Sequence, residues 1–120
     1  MQGRVIDANA KTLKPWRATI AAAASDERHG RTITGPVRLD AVFVMPRPKH
    51  HFGTGRNAGR LKASAPVYCC TRPDLDKLLR ALLDGLVDSG LIRDDDQVVE
   101  VVARKHYGAP AAHVEVRELA

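Results

Sequence analysis

Aromatic residues are scarce: one Trp, two Tyr and two Phe in 120 residues, or 4%. The core of one modest domain must therefore be built mainly from Leu, Val, Ile and Ala. Cysteine is nearly absent too. The only two, Cys69 and Cys70, are adjacent, which rules out an ordinary cross-link between them and leaves too few ligands for a zinc site. Reduced, structural thiols in a cytosolic protein are the expectation. No apolar run approaches the roughly 20 residues a membrane span needs, and no signal peptide is expected at the start. No repeat, linker or low-complexity tail divides the sequence, so residues 1–120 read as a single domain.

What is present in excess is charge, and it is unevenly placed. Residues 1–72 carry 13 Lys/Arg against 4 Asp/Glu, whereas residues 73–120 carry 6 against 10, within a net charge of +5. A solvated surface accounts for such a pattern. So does a polyanion-binding surface whose phosphates are drawn toward a metal held by carboxylates.

The elements follow from periodicity. Arg4–Asp7 reads as a short strand. A helix is expected from Lys14 to Asp26, with Pro15 at its first position, where a missing N–H costs nothing. Glu27–Gly35 is a turn. Val37–Met45 alternates with period two and reads as a strand, with Val42 and Val44 implying that its far end is covered on both sides. Pro46–Arg72 is a long connection rich in Pro, Gly, His and basic residues, of a length that is usually functional or disordered. Leu75, Leu78, Leu79, Leu82, Leu83 and Leu86 repeat at three and four, predicting a helix over Pro73–Ser89 that Gly90 stops. Gln97–Tyr107 and Ala112–Leu119 read as two strands joined by Gly108-Ala109-Pro110 into a hairpin. The expected class is α+β, a small mixed sheet with two main helices.

Carboxylates gather around the second helix. Residues i and i+2 of a regular helix point about 200° apart, so Asp74 and Asp76 converge only at its amino end, where Pro73 places Asp74 near the N-cap. Either aspartate alone is explained as a cap or a partner of the helix dipole. Asp94, Asp95 and Asp96 add a second cluster before an apolar strand, and a turn needs at most one of them. If that strand runs back beside the helix start, one of the three meets Asp74 and Asp76. Three carboxylates in one place then call for a cation, and hard oxygen ligands suit Mg²⁺ or Mn²⁺.

These residues carry a resemblance. Pro73-Asp74-Leu75-Asp76-Lys77-Leu78, then Leu83-Asp84-Gly85-Leu86, then Asp94-Asp95-Asp96-Gln97-Val98-Val99, with the basic Arg104-Lys105 further along, resemble the signature of RusA-type Holliday junction resolvases. Met45-Pro46-Arg47-Pro48-Lys49 and Lys14-Pro15-Trp16-Arg17 resemble segments of phage-borne members. The resemblance implies a RusA-like α+β homodimer in the cytoplasm of a bacterium or phage-infected host. It implies an enzyme of DNA recombination and repair that binds four-way branched DNA and nicks it symmetrically with Mg²⁺, for which Mn²⁺ may substitute. It assigns metal ligation and catalysis to Asp74, Asp76 and Asp95, the register of the triple aspartate being set by Gln97. Asp94 is then the first of the family's acidic pair and Asp96 the variable position, while Asp84 matches an acidic helix position. Two departures stand out. The family's lysine falls on Arg80, which keeps the charge without the compact ammonium, and which an i,i+4 pair with Asp76 or Asp84 would also explain. The family's usual first strand also looks mostly missing at Met1-Gln2-Gly3-Arg4.

On this reading Lys49, Arg56, Arg60, Lys62, Arg72 and Lys77 are candidate contacts to the DNA backbone. Each taken singly also fits a solvated surface. His50 and His51 share the long connection, as a DNA contact or a simple exposed pair, and Phe52 could stack on a base or anchor the loop. Two active sites for two strands ask for a two-fold homodimer, with an interface on the second helix or on the hairpin. A nuclease for other branched DNA and a catalytically inert DNA-binding module remain as alternatives.

Overall fold

Every second residue of the strand Val37–Met45 is buried and every one between is half-buried. A strand with neither face open belongs in the middle of a sheet. The computed structural model, which describes residues 3–8 and 16–120, places it there. The elements are β1 (Gly3–Ala8), α1 (Trp16–Arg28), β2 (Val37–Met45), α2 (Leu75–Ser89), β3 (Val98–Tyr107) and β4 (Ala111–Glu118). The expected start of the first helix at Lys14 and Pro15 lies outside the described residues. The sheet order is β1-β4-β2-β3, with β2 parallel to β3 and antiparallel to β4, and β4 antiparallel to β1. The protein is α+β, with a mixed four-stranded sheet and two helices among the described residues.

One expectation is overturned. β3 and β4 do not form a hairpin, because β2 lies between them. Strands two places apart are about 9.6 Å apart, and the four Cα steps from Tyr107 to Ala111 can reach about 13 Å, so a short link suffices to cross the end of β2. The crossing is close. Gly108 N–H donates to Met45 O at 2.9 Å, and a Cβ on Gly108 would lie 2.8 Å from Val44 Cγ1.

The core lies between one sheet face and the helices. Trp16 meets Phe43 edge to face, with centroids 6.0 Å apart, beside Ile20 and Ala24 of α1 and Leu78, Leu82 and Leu86 of α2. Gly85 sits where the helices cross. A Cβ there would be 2.8 Å from Ile20 Cγ2 and 3.0 Å from Arg17 O. Gly90 takes the left-handed conformation (φ 80°) that ends α2. The opposite sheet face carries polar pairs instead. Arg38 holds Asp40 and Glu100, each at 3.0 Å, and His113 meets Asp7 at 2.7 Å.

The connection Pro46–Arg72 is ordered rather than structureless. Gly53 N–H donates to Arg60 O and Lys62 N–H to His51 O, both at 2.9 Å, so Phe52 and Leu61 form a bridge at the base of an arm. The molecule measures 53 × 23 × 22 Å, and its radius of gyration of 16.2 Å exceeds the roughly 14 Å of a compact chain this long.

Candidate active site

Asp74 occupies the N-cap position of α2 (φ −65°, ψ 149°), as its place after Pro73 suggests, yet its carboxylate makes no capping hydrogen bond. The side chain is exposed and left available for other work. What holds this helix entry is Lys105, which reaches across from β3. Its Nζ donates to Thr71 O at 2.8 Å and to Pro73 O at 3.1 Å, bracketing the approach to Asp74. Asp76 follows in the first turn, exposed like Arg72 and Lys77.

From Asp76 the i,i+4 spacing carries a charged stripe along α2: Arg80, Asp84, Asp88. Arg17 of α1 closes its far end with a two-pronged grip on Asp88, Nη2 to Oδ1 at 3.0 Å, and lies 3.7 Å from Asp84. Arg80 makes no ion pair with Asp76 or Asp84 within 4.0 Å. The local pairing that would have explained it is not formed.

The triple aspartate follows as a tight turn, a 3₁₀ segment at Asp95–Gln97. Gln97 builds it. Its Oε1 accepts from the N–H groups of Arg93 at 2.7 Å and Asp94 at 2.9 Å, while its Nε2 donates to Ile33 O and Gly35 O at 2.8 Å. Asp94 completes the capping box by accepting from Asp96 N–H at 3.0 Å. Those bonds hold the Asp94 carboxyl below the usual carboxylate range, first through the Asp96 N–H and then through the Asp95 side chain. Asp95 is pushed the other way, by its hydrogen bond to Asp94, by desolvation and by the Asp94 charge. Arg80 opposes that shift and Asp84 adds to it. Asp95 thus stands within electrostatic reach of the middle of the α2 stripe, while Asp94 is occupied by its own turn. Asp84, Asp88, Asp94 and Asp95 share with Arg17 and Arg93 the walls of a shallow cleft of about 180 Å³.

Asp95 shares a cleft with Asp84 and lies within electrostatic reach of Arg80. Among the described residues, however, no three His, Cys, Asp or Glu side chains are gathered closely enough to hold a metal ion. Asp74, Asp76 and Asp95 are an all-oxygen donor set whose chemistry fits a hard divalent cation; their spacing in this single chain does not close a three-carboxylate site.

The candidate DNA contacts divide between two regions. Lys49, Arg56, Arg60 and Lys62 are exposed on the arm, and Arg72 and Lys77 flank the start of α2. His50 is exposed but His51 is buried, so the two are not a simple exposed pair. Phe52 bridges to Leu61 and anchors the arm. Arg47 stacks over Tyr107, 4.3 Å from the ring centroid, and donates to Pro66 O at 2.7 Å. Both cysteines are free; Cys69 is buried and Cys70 exposed.

The family model for endodeoxyribonuclease RusA matches residues 3–117. The chain belongs to this endodeoxyribonuclease family. A similar protein is the uncharacterized protein YqaN of Bacillus subtilis (strain 168), 29% identical over 107 residues that cover 88% of this chain and 74% of that protein. The RusA match spans the aspartate helix, the Gln97 turn and the arm alike. No helix among the described residues is long and apolar enough to cross a membrane.

Three residues lie in segments that carry the resemblance but had no role assigned from sequence: Lys105 as the clamp on the α2 entry, Arg17 on the stripe and Arg47 at the base of the arm. The strand alternation that puts Lys105 on the face of Tyr107 and Ala103 was a usable signal for the first. The other two depend on pairing across the fold.

Proposed function

We propose that the protein resolves four-way branched DNA by paired nicks, as a divalent-metal-dependent endonuclease and a homodimer. Its setting would be recombination and repair in the cytoplasm of a bacterium or phage-infected host. The observation that carries this reading is the docking of the Asp95 turn against the charged stripe of α2, in a chain of the RusA family. Asp74, Asp76 and Asp95 would hold Mg²⁺ or Mn²⁺, which when bound lowers the pKa of an attacking water and neutralises charge on the leaving oxygen. Arg80, which makes no ion pair among the described residues and acts electrostatically on Asp95, would supply a positive charge for the scissile phosphate. Lys49, Arg56, Arg60 and Lys62 on the arm, with Arg72 and Lys77 at the helix entry, take backbone phosphates away from the cut.

The test is cleavage of a synthetic four-way junction with and without Mg²⁺. Asp74→Asn, Asp76→Asn and Asp95→Asn should each lower cutting by roughly a hundredfold or more, the scale of losing a group that stabilises transition-state charge. Junction binding should hold or tighten, since negative charge is removed. Asp96→Asn should be mild, because its N–H serves the turn while its carboxylate is spare. Equal losses in Asp95→Asn and Asp96→Asn would show that the register is wrong. Cutting of flaps in preference to junctions would move the substrate, and binding without cutting of any branched DNA would leave a DNA-binding module.

A further inference from the structure

β3 is ten residues long and forms one edge of the sheet. Long apolar edges invite another strand, and proteins usually shorten them or arm them with Pro, bulges or inward charges. This edge has a bulge at Val99, where the pairing steps from Val37–Val98 to Arg38–Glu100, but from Glu100 to Tyr107 its register with β2 is regular. Val99, Val101 and Val102 are 59%, 38% and 39% exposed, and no Pro interrupts the strand. The opposite edge, β1, has six residues and a single exposed large apolar side chain, Val5.

We propose that β3 pairs antiparallel with β3 of a second copy of this chain, on a two-fold axis through Val102, making one continuous eight-stranded sheet. This deepens the homodimer of the preceding section and rests on it. The argument for a second copy is charge complementarity within the strand itself. Pairing to β2 puts Glu100 opposite Arg38, Val102 opposite Asp40 and Arg104 opposite Val42, so Glu100, Val102 and Arg104 share the sheet face away from the helices. In an antiparallel two-fold pair, partners lie on the same face. With the axis at Val102, each Glu100 faces the partner's Arg104 and Val102 faces the partner's Val102. Moving the axis to Val101 sets Glu100 against the partner's Val102 and runs the partner's Arg104 past the bulge at Val99, where no acidic side chain meets it. Moving it to Ala103 sets Val102 against the partner's Arg104. Only the Val102 axis satisfies both charges, twice over.

The neighbours agree with this register. Arg38, already fixed by Asp40, holds Glu100 from the β2 side, and the partner's Arg104 would complete that row from the other. Lys105 is turned to the helix face and stays clear of Arg104. Directly opposed like charges destabilise cross-strand pairs and opposite ones stabilise them, so the register also disfavours its own alternatives.

Sedimentation equilibrium on the full chain tests the surface. Wild type should be dimeric at micromolar concentration. Val102→Lys places two ammonium groups on the axis, and Arg104→Glu sets Glu100 against a carboxylate twice; each should raise the dimer dissociation constant by about tenfold or more. Glu100→Lys combined with Arg104→Glu should recover at least part of that loss. As an arm independent of charge, Val102→Cys in a Cys70→Ser background should cross-link across the axis on mild oxidation, since facing residues of an antiparallel pair are close enough for a disulfide. A wild-type dimer unmoved by Val102→Lys and Arg104→Glu, and not cross-linked through Val102→Cys, would overturn the β3 surface and leave the homodimer standing. A wild type that is monomeric throughout would overturn both. Junction cleavage, scored separately, distinguishes either failure from failure of the catalytic reading.

Discussion

At the scale of single residues, the fold spends a charged side chain on placing another. Lys105 donates to the carbonyls of Thr71 and Pro73, so the backbone entering Asp74 is pinned from the sheet. Charge-assisted bonds to carbonyl oxygens are among the stronger kind. If Asp74 acts in cleavage, Lys105 is a positioning residue, and Lys105→Met should lower kcat by about tenfold to a hundredfold, the scale of a small misplacement near the chemistry. KM should change little, and Lys105→Arg should recover part of the rate. An unchanged kcat beside a lowered melting temperature would make Lys105 purely structural. The spacing of Asp74, Asp76 and Asp95 was legible because those residues sit within local patterns: a proline, a helix period, a glutamine two places on. The service of Gln97 was half legible. Its place in the register is in the sequence, but its grip on Ile33 O and Gly35 O spans more than sixty residues. Arg17 and Asp88 are likewise seventy-one residues apart, and no periodicity encodes such a pairing.

At the scale of elements, α2 and β2 were read closely because each carries one strong period. The arm resisted because its order comes from a few contacts rather than a repeat. His51 is the centre of those contacts, buried against Tyr107 with ring centroids 5.3 Å apart and 3.4 Å from Arg47 Nη1. Burial pushes its imidazole below the ordinary value, and the charges of His50, Arg47 and Lys62 push the same way. In the opened arm the histidine protonates near pH 6.5; in the closed arm it stays neutral to lower pH. Closure is therefore fully favoured above about pH 6.5 and weakens as pH falls toward the depressed folded value. Limited proteolysis within residues 53–62 should accelerate between pH 7.5 and 5.5, measured against a reference peptide to remove the protease's own pH response. In His51→Gln the rate should be nearly flat with pH. Equal pH dependence in both chains would exclude His51 as the cause. The false hairpin has an equally physical origin. Gly108-Ala109-Pro110 is sound turn chemistry, but turn residues report a change of direction and not which strand lies between.

At the scale of the whole molecule, the basic and acidic halves of the sequence become different regions of one body: an arm rich in cations, and a helix flank and turn rich in carboxylates. Beneath them, β4 holds the sheet together. Among the described residues it is the only strand paired with β1, and it covers β2 along eight residues. A chain ending at Pro110 should accordingly lose its cooperative thermal transition by circular dichroism, whereas one ending at Leu119 should keep it, since Leu119 N–H still reaches Pro36 O at 2.9 Å. A sharp melt in the shorter chain would show that the helices and β2–β3 suffice.

The position of β2 between two late strands also sets an order of events. Both of its neighbours come from residues 98–118, so a chain growing from its amino end makes its most buried strand long before anything can pair with it. Pairing across such separations pays its loop-closure entropy before any contact rewards it. During synthesis the Val37–Met45 segment is thus an orphan, apolar on one face and open on both edges. Its protection until residues 98–118 emerge falls to whatever covers nascent chains in the cell.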